Sequence, residues 1–135
     1  IGYRSVAITL DHNALNPYGE HFEREVSETA ELLARYEMRS VIETGARFLL
    51  NPAVKHEPTL VSQREEDRLR RIDFIQRSID LAASRGGRFV YALGAVAGEV
   101  DAWATHADGS LTPLPATTGL PTIDATGGPE GIVAT

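Results

Sequence analysis

The residues able to do chemistry gather in three places. Asp11, His12 and Asn13 follow a short apolar run, Glu43, Thr44 and Arg47 follow a second, and Lys55, His56 and Glu57 lie in the polar stretch beyond. Carboxylate and imidazole together suit a divalent cation such as Mn²⁺, Mg²⁺ or Zn²⁺. Asp11, Glu43 and His56 are therefore the candidate ligands. Glu43 ends an otherwise apolar run, where a lone carboxylate is costly unless partnered. It is also the candidate catalytic base, provided burial raises its pKa. Arg47 and Lys55 supply positive charge for a phosphate or carboxylate. Each group has a plainer reading. Asp11 and Asn13 are common turn formers, and His56 is equally at home as a solvated loop histidine. His21 and His106 fall on exposed faces and take no role.

These groups must be positioned by the elements around them. Ser5 to Leu10 is apolar and β-branched, the pattern of a buried strand. Asp11 to Pro17 is a loop signal. From Gly19 to Met38 the spacing of Phe22, Val26, Ala30 and Leu33 is helical. Val41 to Thr44 is a second strand, broken by Gly45. A long connection through Pro52 and Pro58 leads to Ser62-Gln63-Arg64-Glu65, a capping-box pattern that predicts a helix start. Leu69, Ile72, Ile75 or Gln76, Ile79 and Ala83 make its expected apolar stripe, and Gly86-Gly87 ends it. The arginines from Arg64 to Arg77 interleave with acids and read as a solvated, ion-paired face.

Phe89 to Leu93 then reads as a strand. Gly98 to His106 alternates Val100, Ala102 and Ala104 against Glu99, Asp101 and Trp103, which is a half-exposed strand. Asp108-Gly109 is a hairpin-type turn before Leu111 to Leu114. Residues 115–131 read as irregular, with a short strand possible at Ile132-Val133. The predicted fold class is α/β: a β-α-β-α-β parallel unit, partial-barrel-like, followed by an antiparallel β-meander. Phe89 to Leu93 can serve in either. Residues 1–86 form the first segment and 87–135 the second, packed as one domain.

Composition narrows the functions. The net charge of -6 argues against nucleic acid, whose phosphates need a basic face. No cysteine is present, which removes disulfides and Cys-based zinc sites and fits a cytoplasmic protein. No apolar run is long enough for a membrane span. The chain opens at Ile1 rather than methionine, as a processed or trimmed product would. Glycine and proline concentrate after residue 86, so a helix-rich segment gives way to a turn-rich one.

Two resemblances follow from these stretches. VAITLDHNALNP (Val6 to Pro17), VIETGARFLLNPAVKHEP (Val41 to Pro58) and RIDFIQRSIDLAA (Arg71 to Ala83) resemble the sugar phosphate isomerase/epimerase family, with its xylose-isomerase-like (β/α)₈ barrel. The resemblance covers residues 1–86 and implies the second and third barrel strands with their helices. It implies a divalent-metal isomerase or epimerase acting on a sugar or sugar phosphate. Only Glu43, Arg47, His56 and Asp11-His12 carry over as site-facing positions, His12 with Arg47 and Lys55 on the substrate side. The second segment, GRFVYALGAVAGEVDAWATHADGSLTPLPATTGLP, resembles one blade of a lactonase-type β-propeller. The expectation is a chimera or fragment, joined near Ser84 to Arg88, with no complete catalytic site of its own. Its open sheet edges favour self-association. The alternatives are an isomerase complete only as an oligomer or longer chain, and a sugar- or phosphate-binding module.

Overall fold

The computed structural model describes residues 2–94, 96–108 and 110–122. The chain divides between Arg85 and Gly86 into two compact units. The mixed α/β class expected from the sequence is what the chain adopts.

In the first unit, β1 (Ser5–Thr9) and β2 (Arg39–Glu43) form a parallel pair. The register sets Ser5 against Arg39 and Thr9 against Glu43. A parallel pair needs a crossover, supplied by α1 (Phe22–Arg35). Glu23 and Glu25 stand in its first turn and Arg35 in its last, the arrangement the helix dipole favours. The second helix, α2 (Glu65–Ser84), follows the long connection after β2. Its core is small: Leu10, Leu15, Val26, Ala46, Leu50, Phe74 and Leu81 are buried, with Ile8, Phe22, Ile42 and Leu49 packed against them.

Two details of α2 depart from the sequence reading. The helix begins at Glu65, with Arg64 as its N-cap and no side-chain cap, so the capping box does not form. Ser62 Oγ is engaged elsewhere: it accepts from the Thr59 amide at 2.9 Å and donates to Glu57 at 3.2 Å. Glu65, Glu66 and Asp67 in the first turn still meet the helix dipole. The expected apolar stripe also lies outward, since Leu69, Ile72 and Ile79 are exposed. The buried positions are Phe74, Ser78 and Leu81. The aromatic-bearing face fills the core and leaves the aliphatic one uncovered.

In the second unit, β3 (Phe89–Gly94), β4 (Glu99–Thr105) and β5 (Leu111–Thr118) form an antiparallel meander in the order β3-β4-β5. Phe89–Gly94 pairs with β4 and is not a third strand of the parallel sheet. The short link from Gly94 to Glu99 suffices for a hairpin but not for a parallel crossover. The last strand runs on to Thr118, past the irregular stretch expected from Pro115. A register shift between Val100 and Ala102 adds a residue on the β5 side, and such a bulge accommodates a proline. Among the described residues of this unit only Gly98 is buried. Gly109 and the expected short strand at Ile132-Val133 lie outside the described residues. Among those described, no helix is long and apolar enough to cross a membrane.

Candidate functional site

The carboxyl end of β2 and the connection after it carry the sequence-predicted groups. Thr9 Oγ donates to Glu43 Oε2 across the strand pair, which follows from their register. Gly45 leaves a gap beside the other carboxylate oxygen. A β-carbon there would lie 3.6 Å from Glu43 Oε1, 3.7 Å from His56 Cε1 and 3.8 Å from His56 Nδ1. Glu43 and His56, 13 positions apart in the sequence, thus come together over one glycine.

The backbone fixes this approach. His56 Nδ1 lies 2.6 Å from the Gly45 carbonyl. A carbonyl only accepts, so Nδ1 donates here, and Nε2 is the ring nitrogen left for a metal. The His56 amide donates to the Arg47 carbonyl at 2.6 Å. Ala46, Arg47 and His56 all have positive φ, 59°, 33° and 65°, a region that L-residues seldom occupy. Three such residues beside one another mark a connection held in place by its surroundings. Ala46 is fully buried beneath it.

Arginines of α2 supply that hold. Arg68 Nη1 donates to the Ser62 and Gln63 carbonyls, both at 2.8 Å. Arg70 donates to Leu50 at 3.1 Å and Arg71 to Thr44 at 3.0 Å. The run expected to be a solvated, ion-paired face therefore fastens the connection that bears His56. Ion pairing does occur, between Arg77 and Asp73 at 3.0 Å and between Arg64 and Glu66. Arg71 is the functional candidate the sequence reading missed. Its guanidinium lies 5.5 Å from the Phe74 ring centroid, and its Nη1 is buried without a hydrogen-bond partner. Burial lowers its pKa, while the Glu57 carboxylate opposes that shift. Its one sequence signal is a charge at the edge of the Phe74 face of the helix.

The remaining candidates stand apart from this pair. Asp11 closes a tight turn: its amide donates to Ala14 at 2.9 Å and its carboxylate accepts from the His12 amide at 2.7 Å. His12, Arg47 and Lys55 are exposed. Among the described residues, no hydrogen bond or ion pair joins the side chains of Asp11, His12, Arg47 or Lys55 to Glu43 or His56. The described residues contain no group of three or more His, Asp or Glu able to hold a metal. Glu43 Oε1 and His56 Nε2 offer two suitable donors, and a full set is not assembled. An apolar groove lined by Ile8, Leu15, Val26, Leu33, Ile42 and Leu81 has only about 10 Å³ of space. That is room for about one water, and none of the candidate groups lines it.

No protein family, curated protein or solved structure matches the chain.

Proposed function

We propose that the chain is a fragmentary or chimeric α/β protein with no complete catalytic site of its own. Its first unit keeps one corner of a sugar- or sugar-phosphate-binding site of the isomerase/epimerase kind. The convergence of Glu43 and His56 over Gly45 carries this reading. One carboxylate and one imidazole held through Nδ1 make part of a divalent-metal site. Arg71, with an N–H left over, stands at the same end of β2 through Thr44. The remaining ligands would come from a second copy or from further chain. The two-stranded sheet, with neither outer edge paired among the described residues, suits such completion.

Calorimetry with Mn²⁺, alone and with glucose 6-phosphate, tests it. Weak binding of the metal is expected, lost in both Glu43→Gln and His56→Ala. No heat, or heat unchanged by both substitutions, rules out the ligands. Turnover of a sugar phosphate by the isolated chain overturns the claim that the site is incomplete.

A further inference from the structure

The second unit has no buried side chain among its described residues, so its sheet must find its partner surface elsewhere. Its two edges differ. The His106 amide donates to the Ser110 carbonyl. By the alternation of an antiparallel ladder, even-numbered residues at the start of β5 face β4 and odd-numbered ones face outward. The outward positions include Pro113 and Pro115, which have no N–H to offer, and Pro115 adjoins the register shift. Prolines and a bulge are the devices that blunt an exposed edge. β5 has both.

β3 has neither. Its sequence FVYALG carries no charge and no proline. The Thr105 amide donates to the Arg88 carbonyl at 2.9 Å. Even-numbered residues therefore face β4, and Phe89, Tyr91 and Leu93 direct their N–H and C=O groups to the open edge. Among the described residues no strand pairs there. The side chains of these three residues share one face, and Phe89 and Tyr91 are substantially exposed, with ring centroids 6.4 Å apart.

We propose that β3 is a self-association edge and that its occupant is β3 of a second copy, antiparallel about Tyr91. Residues directly opposite must point to the same face. This register does so, setting Tyr91 against its own copy and Phe89 against Leu93 of the other. Every outward donor and acceptor of the three residues then finds a partner, and the two meanders become one six-stranded sheet. Charge fits as well. Arg88 falls opposite Gly94 of the other copy. Over that glycine lies Glu99, whose Oε1 would be 3.6 Å from a β-carbon built there. Neither Arg88 nor Glu99 has an ion pair among the described residues. The two-fold axis brings them together twice. Within one chain Arg88 sits beside Thr105, at the far end of β4 from Glu99, so their pairing exists only between copies.

This inference does not depend on the Glu43–His56 reading. Its test is sedimentation of the full chain from micromolar to submillimolar concentration, with amide exchange measured alongside. The parent should dimerise, with Phe89, Tyr91 and Leu93 amides protected only as concentration rises. Arg88→Glu should weaken the dimer at least tenfold, and adding Glu99→Arg should restore it. Glu43→Gln should leave it unchanged. A monomer throughout overturns the proposal, whether those amides exchange freely or are protected at every concentration. A dimer indifferent to Arg88→Glu does so too.

Discussion

Glu43 and His56 both border the space that a β-carbon at Gly45 would fill, at 3.6 and 3.7 Å. Those are ordinary contact distances, and Gly45 is not among the residues with positive φ. Gly45→Ala should therefore fold, with stability within about 1 kcal/mol of the parent. The methyl would fill the space that carboxylate and imidazole both border. Urea unfolding should be nearly unchanged, while Mn²⁺ binding disappears. Retained binding would show that the metal, if it binds, lies elsewhere.

Arg71 predicts a different separation of stability from binding. The guanidinium is partly desolvated with its Nη1 unpartnered, and replacing such a group by an apolar one of similar shape is often neutral or better. Arg71→Met keeps the packing on Phe74. Because Thr44 is exposed, water can take over its carbonyl. Denaturant midpoints should move by less than about 1 kcal/mol in either direction. Binding of glucose 6-phosphate should fall, and a loss of stability well beyond that range would mean that the connection depends on the Arg71–Thr44 bond and not only on those of Arg68 and Arg70.

Tyr18, Asp73 and Arg77 tie the loop after β1 to α2. The Tyr18 hydroxyl donates to Asp73 at 2.9 Å, Arg77 Nε donates to the same oxygen at 3.0 Å, and the guanidinium lies 5.0 Å over the Tyr18 ring. Burial and the hydrogen bond to Asp73 push Tyr18 up to about 12 from 10.0. Between those values the unfolded chain loses a proton that the folded chain keeps, so stability falls as pH rises from 10.0 towards 12. Tyr18→Phe should remove that slope in urea titrations. On the acid side, Arg77 and then Tyr18 hold Asp73 below the usual carboxylate range. Its contribution is present above the unfolded value and is lost as pH falls through the folded one. The pair is about half exposed, so Asp73→Asn should cost only about 0.2–1 kcal/mol near neutral pH.

Phe74 is the largest fully buried side chain, in a core with few members. Phe74→Ala should cost about 3–5 kcal/mol, a large share of the stability of a small domain. Guanidinium unfolding followed by far-ultraviolet dichroism would read it as loss of α1 and α2. A much smaller cost would mean that the face around Phe74 collapses to refill the space.

How much of this could be read from the chain varies with the range of the cause. β1, β2 and the two helices follow from local period and were legible to within a few residues, as were β3 and β4. The alternation of Val100, Ala102 and Ala104 against Glu99, Asp101 and Trp103 marks a strand, but all of β4 is half-buried and neither set makes a core face. What failed depended on tertiary partners. Ser62 had the spacing of a cap, yet Glu57 and Thr59 hold its hydroxyl. Leu69, Ile72 and Ile79 had the spacing of a buried stripe, yet α2 carries two apolar faces and the one with Phe74 went inside. The role of Arg71 rests on the carbonyl of Thr44, 27 residues away, and no local pattern encodes that. Glu43 and His56 are candidates by residue type, by their place at and after the end of a strand, and by the resemblance, and only the path of the connection brings them together.

Gly98 makes the sharpest demand on residue type in the second unit. It turns the chain between β3 and β4 with φ at 67°, a conformation open to glycine and strained for other residues. Its carbonyl accepts from the Leu120 amide at 2.9 Å, which brings the end of β5 back across the turn. A β-carbon at this position would collide with the Leu120 carbonyl oxygen and press on Thr122 Cγ2 at 3.2 Å. Gly98→Ala therefore meets backbone strain and a backbone clash together, and a side chain cannot swing aside to relieve either. The expected cost exceeds about 1 kcal/mol. Amide exchange should show it as faster exchange at Leu120 and along the β3–β4 ladder. Gly119→Ala is the control, because its φ of 88° carries the strain but nothing lies within 4 Å of its β-carbon. Equal costs for the two substitutions would mean that φ alone matters and that the approach of Leu120 does not.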